Sequence, residues 1–470
     1  MDLTSEQIKK IVEDTVRQMT GREASADTAD TSRWLCDKPE DAIGAAKNAQ
    51  RQLMDMSLDQ RGKLINAMRT ASREQARYLA ELANKETGYG SVEDKVKKNL
   101  LAANKTPGIE DLRTAAVSGD FGLTIVEGAP FGIIGSITPS TNPAASIINN
   151  AISMIAAGNA VVFNPHPAAK KVSIETMKIL NEAIVGAGGP ETLICTVKEP
   201  TIGTGKYIME HPDVALLSIT GGEAVVKVAM KTGKKVIAAG PGNPPVIVDN
   251  TAVITQAARD IVDGASFDNN VLCIAEKEVF AFESIADALM DEMEKNGAYR
   301  IAGADIEKVV NTVFERNSGR YVINRSFVGR DATVILTESG VGFSGNPRLI
   351  IAEVDEDHPF VTVEMLMPVL GIVRVEEKIE TAINKAVKAE GGCRHTAIMH
   401  SQNVTSLSMA ARALNTTIFV KNAPSYAGLG FNGEGYTTLT IATPTGEGLT
   451  SARTFTRSRR CVLYGNLRIV

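Results

Sequence analysis

From residue 121 onward the chain alternates between short, wholly apolar runs and longer amphipathic ones. LTIVEGAPFGIIGSIT, AVVFNPHP, LICTV and VALLSITGG have the β-branched character of strands. Between them, AASIINNAISMIAAGN, AAKKVSIETMKILNEAIVGAGG and EAVVKVAMKTG repeat their apolar residues at helical spacing. A strand that is apolar at every position must be covered on both faces, which a parallel sheet flanked by right-handed crossover helices achieves. A second block of the same kind begins near residue 251, with TAVITQAARDIVDGA, EVFAF, IADALMDEMEKNG, LIIAEV and VLGIVRV. At 470 residues the chain is too long for one core. The pattern therefore predicts two doubly wound α/β domains, residues 35–245 and 246–435.

The flanking segments differ in character. Residues 38–113 predict helices, with the lysine-rich stretch at 95–98 read as a solvated helix face. Within residues 1–20, Thr4 or Ser5 can cap a helix that gathers Ile8, Ile11, Val12, Val16 and Met19 on one side. GREASADTADTS makes 21–34 a linker, so this short amphipathic helix is expected to dock on another surface. Residues 436–470 are strand-forming and, with a hairpin near 118–130, are expected to pair with another subunit. A net charge of −5 argues against a nucleic-acid partner. No apolar run is long enough for a bilayer, and no signal peptide opens the chain. Five scattered cysteines without a C-x-x-C pair, and five histidines without H-x-x-x-H spacing, suit a reducing cytoplasm and predict no metal site.

Three turns point to a ligand crevice. VALLSIT runs directly into Gly221-Gly222 and then a helix, where backbone N–H groups and the helix dipole favour a phosphate. SITPSTNPAAS and VVFNPHPAAKK likewise fall at carboxyl ends of strands, where open α/β sheets bind ligands. The G-x-G-x-x-G match at Gly428, Gly430 and Gly433 precedes β-rich sequence instead of a helix, so it is rejected as a nucleotide fingerprint. Cys273, in SFDNNVLCIAEKEVF, is by its residues alone either an inert core thiol or a nucleophile.

Across about residues 35 to 465 the chain resembles the aldehyde dehydrogenase superfamily, and within it the CoA-acylating acetaldehyde or propionaldehyde dehydrogenases of bacterial microcompartments. The stretches that carry the resemblance are PFGIIGSITPSTNPAAS, MIAAGNAVVFNPHPAAKK, SITGGEA, AAGPGNPPVIVD, SFDNNVLCIAEKEV, VEMLMPVLGIV, CRHTAIMHS and TPTGEGLTSARTFTRSRRCVL. The resemblance implies two Rossmann-like domains with a β-rich oligomerisation arm. It makes Cys273 the nucleophile, forming a thiohemiacetal and then, after hydride transfer, a thioester. Asn142 falls near the family's oxyanion asparagine, although an ungapped match puts Thr141 there. Thr220, Gly221 and Gly222 match the turn that meets the pyrophosphate, and Glu364 the glutamate that holds the nicotinamide ribose. Thr138, Pro139, Ser140, Thr141, Asn164, His166, Pro167, Ala239 and Gly240 complete the expected cofactor-binding set.

Two departures shape the expected chemistry. Hydrolytic relatives carry a glutamate that activates water where this chain has Ala238. Without a general base water is a poor nucleophile, whereas a thiol is intrinsically a good one, so acyl transfer to coenzyme A is favoured over release of a free acid. Asn164 replaces a ribose-binding lysine, which leaves NAD and NADP both open, NAD being preferred. His395 is open between a role in the CoA or aldehyde channel and a structural one. The resemblance further implies a homodimer or tetramer inside a microcompartment, with the N-terminal helix contacting shell proteins. A hydrolytic aldehyde dehydrogenase and a non-enzymatic scaffold are the alternatives.

Overall fold

The computed structural model describes residues 33–467. Two parallel sheets dominate it. The first has six strands in the spatial order Leu35–Cys36, Ile194–Val197, Ala160–Pro165, Ile133–Thr138, Val214–Thr220 and Lys235–Ala239. The second has seven, in the order Ala298–Ile301, Leu349–Glu353, Val369–Val375, Glu278–Phe282, Pro245–Val248, Thr396–His400 and Ile418–Lys421. Every pairing within these sheets is parallel. The apolar strands read from sequence are covered on both faces, as that geometry requires. Among the described residues no helix is long and apolar enough to cross a membrane.

The strand order in the first sheet sets the place of a ligand. From Ile133–Thr138 the chain winds to one side, through Ala160–Pro165 and Ile194–Val197. It then crosses back to Val214–Thr220 on the other side. A crevice opens outside the carboxyl ends at such a reversal. Behind it, the helix Pro143–Ala156 is buried at every residue, with Pro143 at its first position, where the missing N–H costs nothing.

The second sheet meets this crevice with its opposite end. Segments 240–242, 271–274, 364–366 and residue 395 immediately precede the strands beginning at 245, 278, 369 and 396. These four strands are neighbours in the sheet. The amino ends of the second sheet thus face the carboxyl ends of the first.

Two stretches fold differently from their sequence reading, and a third takes a partner within the chain. In the helix Val92–Lys105, Lys97 is solvated, but Lys95 and Lys98 are only 4% and 3% exposed. Positions three apart share a helix face, and this face continues into Leu101 and Ala102, so it points inward. The tail strand Thr456–Tyr464 runs antiparallel to Gly122–Pro130 of its own chain over nine residues. With Ala115–Gly119 these make a three-stranded sheet that exposes Phe121 and Tyr464. Between 436 and 455, only Ile441–Ala442 and Gly448–Leu449 pair as strands. There Leu439 N–H and the Thr440 hydroxyl donate to the buried amides of Asn149 and Asn150, at 3.0 and 2.9 Å, in place of a ladder. The expected amphipathic helix at 1–20 lies outside the described residues.

Candidate active site

Two adjoining cavities fill the crevice and share Pro139, Thr220, Gly221 and Gly222. The outer one is lined by Thr138, Pro139 and Ser140 from the first turn and by Asn164, His166 and Pro167 from the second. Gly222 caps the helix Glu223–Met230, and a methyl group added to it would meet no atom within 4 Å. The turn is therefore open to an approaching phosphate. Thr138 Oγ1 is buried there without a protein partner. Asn164 is already engaged: its Oδ1 accepts from Thr204 Oγ1 at 2.7 Å and its Nδ2 donates to Thr201 O at 3.2 Å. His166 Nδ1 accepts from Ala168 N–H at 3.1 Å, and burial lowers its pKa.

The inner cavity brings together Thr141, Asn142, Ala239, Gly240, Cys273 and Glu364. Cys273 follows a three-residue run in left-handed backbone, Asp268, Asn269 and Asn270, at φ 48°, 52° and 65°. Asp and Asn tolerate that region better than other side-chain-bearing residues. Lys277 Nζ donates to Asn270 O at 3.1 Å and to Leu272 O at 3.4 Å, which clasps the loop just before the sulfur. Gly242 closes the other side. A methyl there would fall 2.7 Å from the Cys273 carbonyl oxygen and 2.9 Å from the His395 ring, so only glycine fits.

Burial, reinforced by Glu364, pushes the Cys273 thiol up to about 12, while Lys277 and Lys98 act to lower it. Among the described residues, Glu364 is the one carboxylate lining this cavity. Its Oε1 accepts from Gly242 N–H at 3.3 Å, and burial raises its pKa against the pull of Lys277. Ala238 is fully buried behind Ala239 and Gly240, and its N–H donates to Thr445 Oγ1 at 3.0 Å. His395 does not line either cavity. Its Nδ1 lies 2.9 Å from Thr396 Oγ1, its Nε2 is buried without a protein partner, and desolvation pushes its pKa down to about 4.

A family model described as the aldehyde dehydrogenase family matches residues 28–437. The chain belongs to that family. As an aldehyde dehydrogenase it is 52% identical over 436 residues to the acetaldehyde dehydrogenase (acetylating) EutE of Salmonella typhimurium, with 92% of each chain covered. Among solved structures it resembles a propionaldehyde dehydrogenase from the Clostridium phytofermentans fucose utilisation bacterial microcompartment. The TM-score is 0.91 at 50% identity, over 93% of this chain and 100% of that one. The Rhodopseudomonas palustris propionaldehyde dehydrogenase, solved with bound CoA and an acylated cysteine, also gives 0.91, at 46% identity over 94% of this chain and 100% of that one. The expected aldehyde dehydrogenase fold is thereby met.

One group of residues at the site of this aldehyde dehydrogenase was not anticipated. Lys95 and Lys98 reach Asp268, and Lys98 reaches Asn142. Burial lowers the pKa of Lys98, and Asp268 counters that effect. The available signal was the helical spacing of Lys95, Lys98 and Ala102 on one face. Lys277 was also missed, because a single lysine in AEKEVF reads as an ordinary strand-end charge.

Proposed function

We propose that the chain is a CoA-acylating aldehyde dehydrogenase. It oxidises a short aldehyde, acetaldehyde or propionaldehyde, with NAD and CoA to acyl-CoA and NADH. The observation that carries this reading is the meeting of Cys273 and Asn142 in one cavity that opens onto the Gly221-Gly222 turn. The turns suit the dinucleotide: Gly222 leaves clear space at a helix N-terminus, and Glu364 lines the passage towards Cys273. When bound, the oxidised nicotinamide supplies a hydride acceptor and a positive charge near the sulfur.

The chain's own residues supply the rest. The Cys273 thiolate attacks the aldehyde carbon, and the oxygen gains negative charge as the thiohemiacetal forms. The side-chain N–H of Asn142 and the backbone N–H of Cys273 donate to that oxygen. Loss of hydride leaves a thioester on Cys273. The thiolate of CoA then attacks the same carbon, and Cys273 departs as the leaving group. Water competes poorly, since Ala239 and Gly240 offer no base, Ala238 is enclosed, and Glu364, which accepts from Gly242 N–H, is read as a nucleotide ligand.

The test is NADH formation from acetaldehyde or propanal with and without CoA. Turnover that requires CoA supports the reading. Acid formation at full speed without CoA makes the enzyme hydrolytic, and no turnover with either makes it a scaffold.

We further infer that residues 1–20 dock the enzyme to a microcompartment shell, and that the three-stranded sheet of the hairpin and tail joins subunits. The microcompartment relative and the exposed Phe121 and Tyr464 support these readings. Deleting residues 1–20 should abolish co-sedimentation with shell proteins while leaving activity intact.

A further inference from the structure

Two ammonium groups and one carboxylate meet in the interior beside the reacting groups. Lys95 Nζ lies 3.1 Å from Asp268 Oδ2, and Lys98 Nζ contacts the same oxygen. Asp268 Oδ1 accepts from Ser91 N–H at 2.8 Å, and Asp268 N–H donates to Asp94 Oδ2 at 2.9 Å. Asp94 is itself paired with solvated Lys97 at 2.9 Å. Asp268 thus faces two buried cations, one more than it can neutralise. A buried surplus charge is costly unless something else satisfies it. The second contact of Lys98 is Asn142 Oδ1.

That contact dictates how the carboxamide lies. An ammonium donates and cannot accept, so only the oxygen of Asn142 can face it. The amide nitrogen is thereby turned away, donating to Thr141 Oγ1 at 3.3 Å and leaving an N–H for the cavity that Asn142 shares with Cys273. A cation on Oδ1 also polarises the amide, which strengthens its N–H groups as donors. The anchor of Lys98 is no remote bystander. Asp268 opens the left-handed run that leads into Cys273, so one buried network ties the loop of the nucleophile to the side chain opposite it.

We propose that Lys98 is a positioning residue for the oxyanion donor: held by Asp268, its ammonium fixes the Asn142 amide with Nδ2 towards the substrate oxygen at Cys273. This rests on the reading of Asn142 as that donor. It also separates the roles of Asn142 and Thr141. Thr141 accepts from the amide, and Asn142 donates to the substrate.

A double-mutant cycle on the full-length enzyme, followed by CoA-dependent NADH formation, tests it. Asn142→Ala should lower kcat about 10²–10³-fold, the usual effect of removing an oxyanion donor. An unchanged rate there overturns the donor reading, and Lys98 with it. Lys98→Met should lower kcat about tenfold to a hundredfold, part of that donor effect, with the KM for aldehyde and CoA within about twofold. Lys98→Gln, which keeps a donor without the charge, should recover part of the loss. The double variant Lys98→Met/Asn142→Ala should be no slower than Asn142→Ala, because a positioning group has nothing left to position. A slow Asn142→Ala beside a Lys98→Met of wild-type rate overturns the lysine's role alone, as do losses that multiply in the double variant.

Folding should survive, since Lys98→Met leaves Asp268 with Lys95 and Ser91 as partners. Should it give no soluble protein, Lys98→Gln carries the cycle. A loss that vanishes in the Asn142→Ala background supports the proposal, and a loss that persists there overturns it.

Discussion

The two walls of the crevice are made of different material. To the inner cavity the first sheet contributes the turns Thr138–Asn142, Thr220–Gly222 and Ala239–Gly240, which carry hydroxyls, one carboxamide and bare backbone; among the described residues its ionisable side chains, His166 and Lys206, line only the outer cavity. The second sheet contributes Cys273 and Glu364 to the cavity, with Lys277, Glu276 and His395 close behind and wholly enclosed. The difference follows from the task of each wall. Gripping a phosphate needs N–H groups and a helix terminus, which any open turn supplies without burying charge. Altering the reactivity of a sulfur needs charges at low dielectric, and those must be held by further groups. Glu276 illustrates the demand: burial raises its carboxyl to about 7 although Ser425 donates to it twice, at 2.8 and 2.7 Å.

By this division, substitutions on the second wall should change kcat and those in the glycine turns of the first should change KM, with Asn142 the exception on the first wall because it faces the substrate oxygen. The largest effect is expected for Cys273→Ala, which should lower CoA-dependent turnover by about 10⁴-fold or more, as loss of a covalent nucleophile does. A Cys273→Ala enzyme with measurable CoA-dependent turnover near wild type would break the comparison outright.

The next effect is a pH dependence. A buried thiol with its pKa raised ionises only as pH climbs, so alkylation of Cys273 by iodoacetamide in the enzyme without nucleotide should accelerate about tenfold per pH unit. No plateau should appear below pH 10, the expectation for a thiol pushed up to about 12. A plateau near neutrality would mean that Lys277 and Lys98 outweigh burial.

Glu364→Gln sharpens the comparison, because this residue stands on the chemical wall yet is read as a nucleotide ligand. Losing a charge-assisted hydrogen bond should raise the KM for NAD about tenfold with kcat changed much less. A collapse of kcat instead would place Glu364 with the chemistry. The smallest effect belongs to Gly222→Ala. Among the described residues beyond its chain neighbours nothing lies within 4 Å of the added methyl, and φ is −63°, so thermal stability should be unchanged while the KM for NAD rises a few-fold.

The neutral wall was the more legible in sequence. Gly221-Gly222 between an apolar strand and an amphipathic helix declares its position, because secondary structure and turn are local properties. Cys273 needed more: its residues left an inert thiol and a nucleophile both open, and the resemblance chose between them. The charges behind it were misread. Lys95 and Lys98 belong to a run that looks solvated, and their partner Asp268 lies 173 and 170 residues further on. The tail strand was legible as a strand, whereas its ladder with the hairpin of the same chain was not, since a β edge accepts any partner with a free ladder.

By itself the sequence determined the alternation of strands and helices, hence two parallel sheets, and the turns at the strand ends of the first. Periodicity and turn chemistry act over a few residues, and they are written where they act. Only the tertiary structure decided that the amino ends of one sheet would face the carboxyl ends of the other, and which charges would be trapped between them. Whether a lysine is solvated or buried depends on what arrives from elsewhere in the chain to neutralise it, and that is a property of the assembled interior.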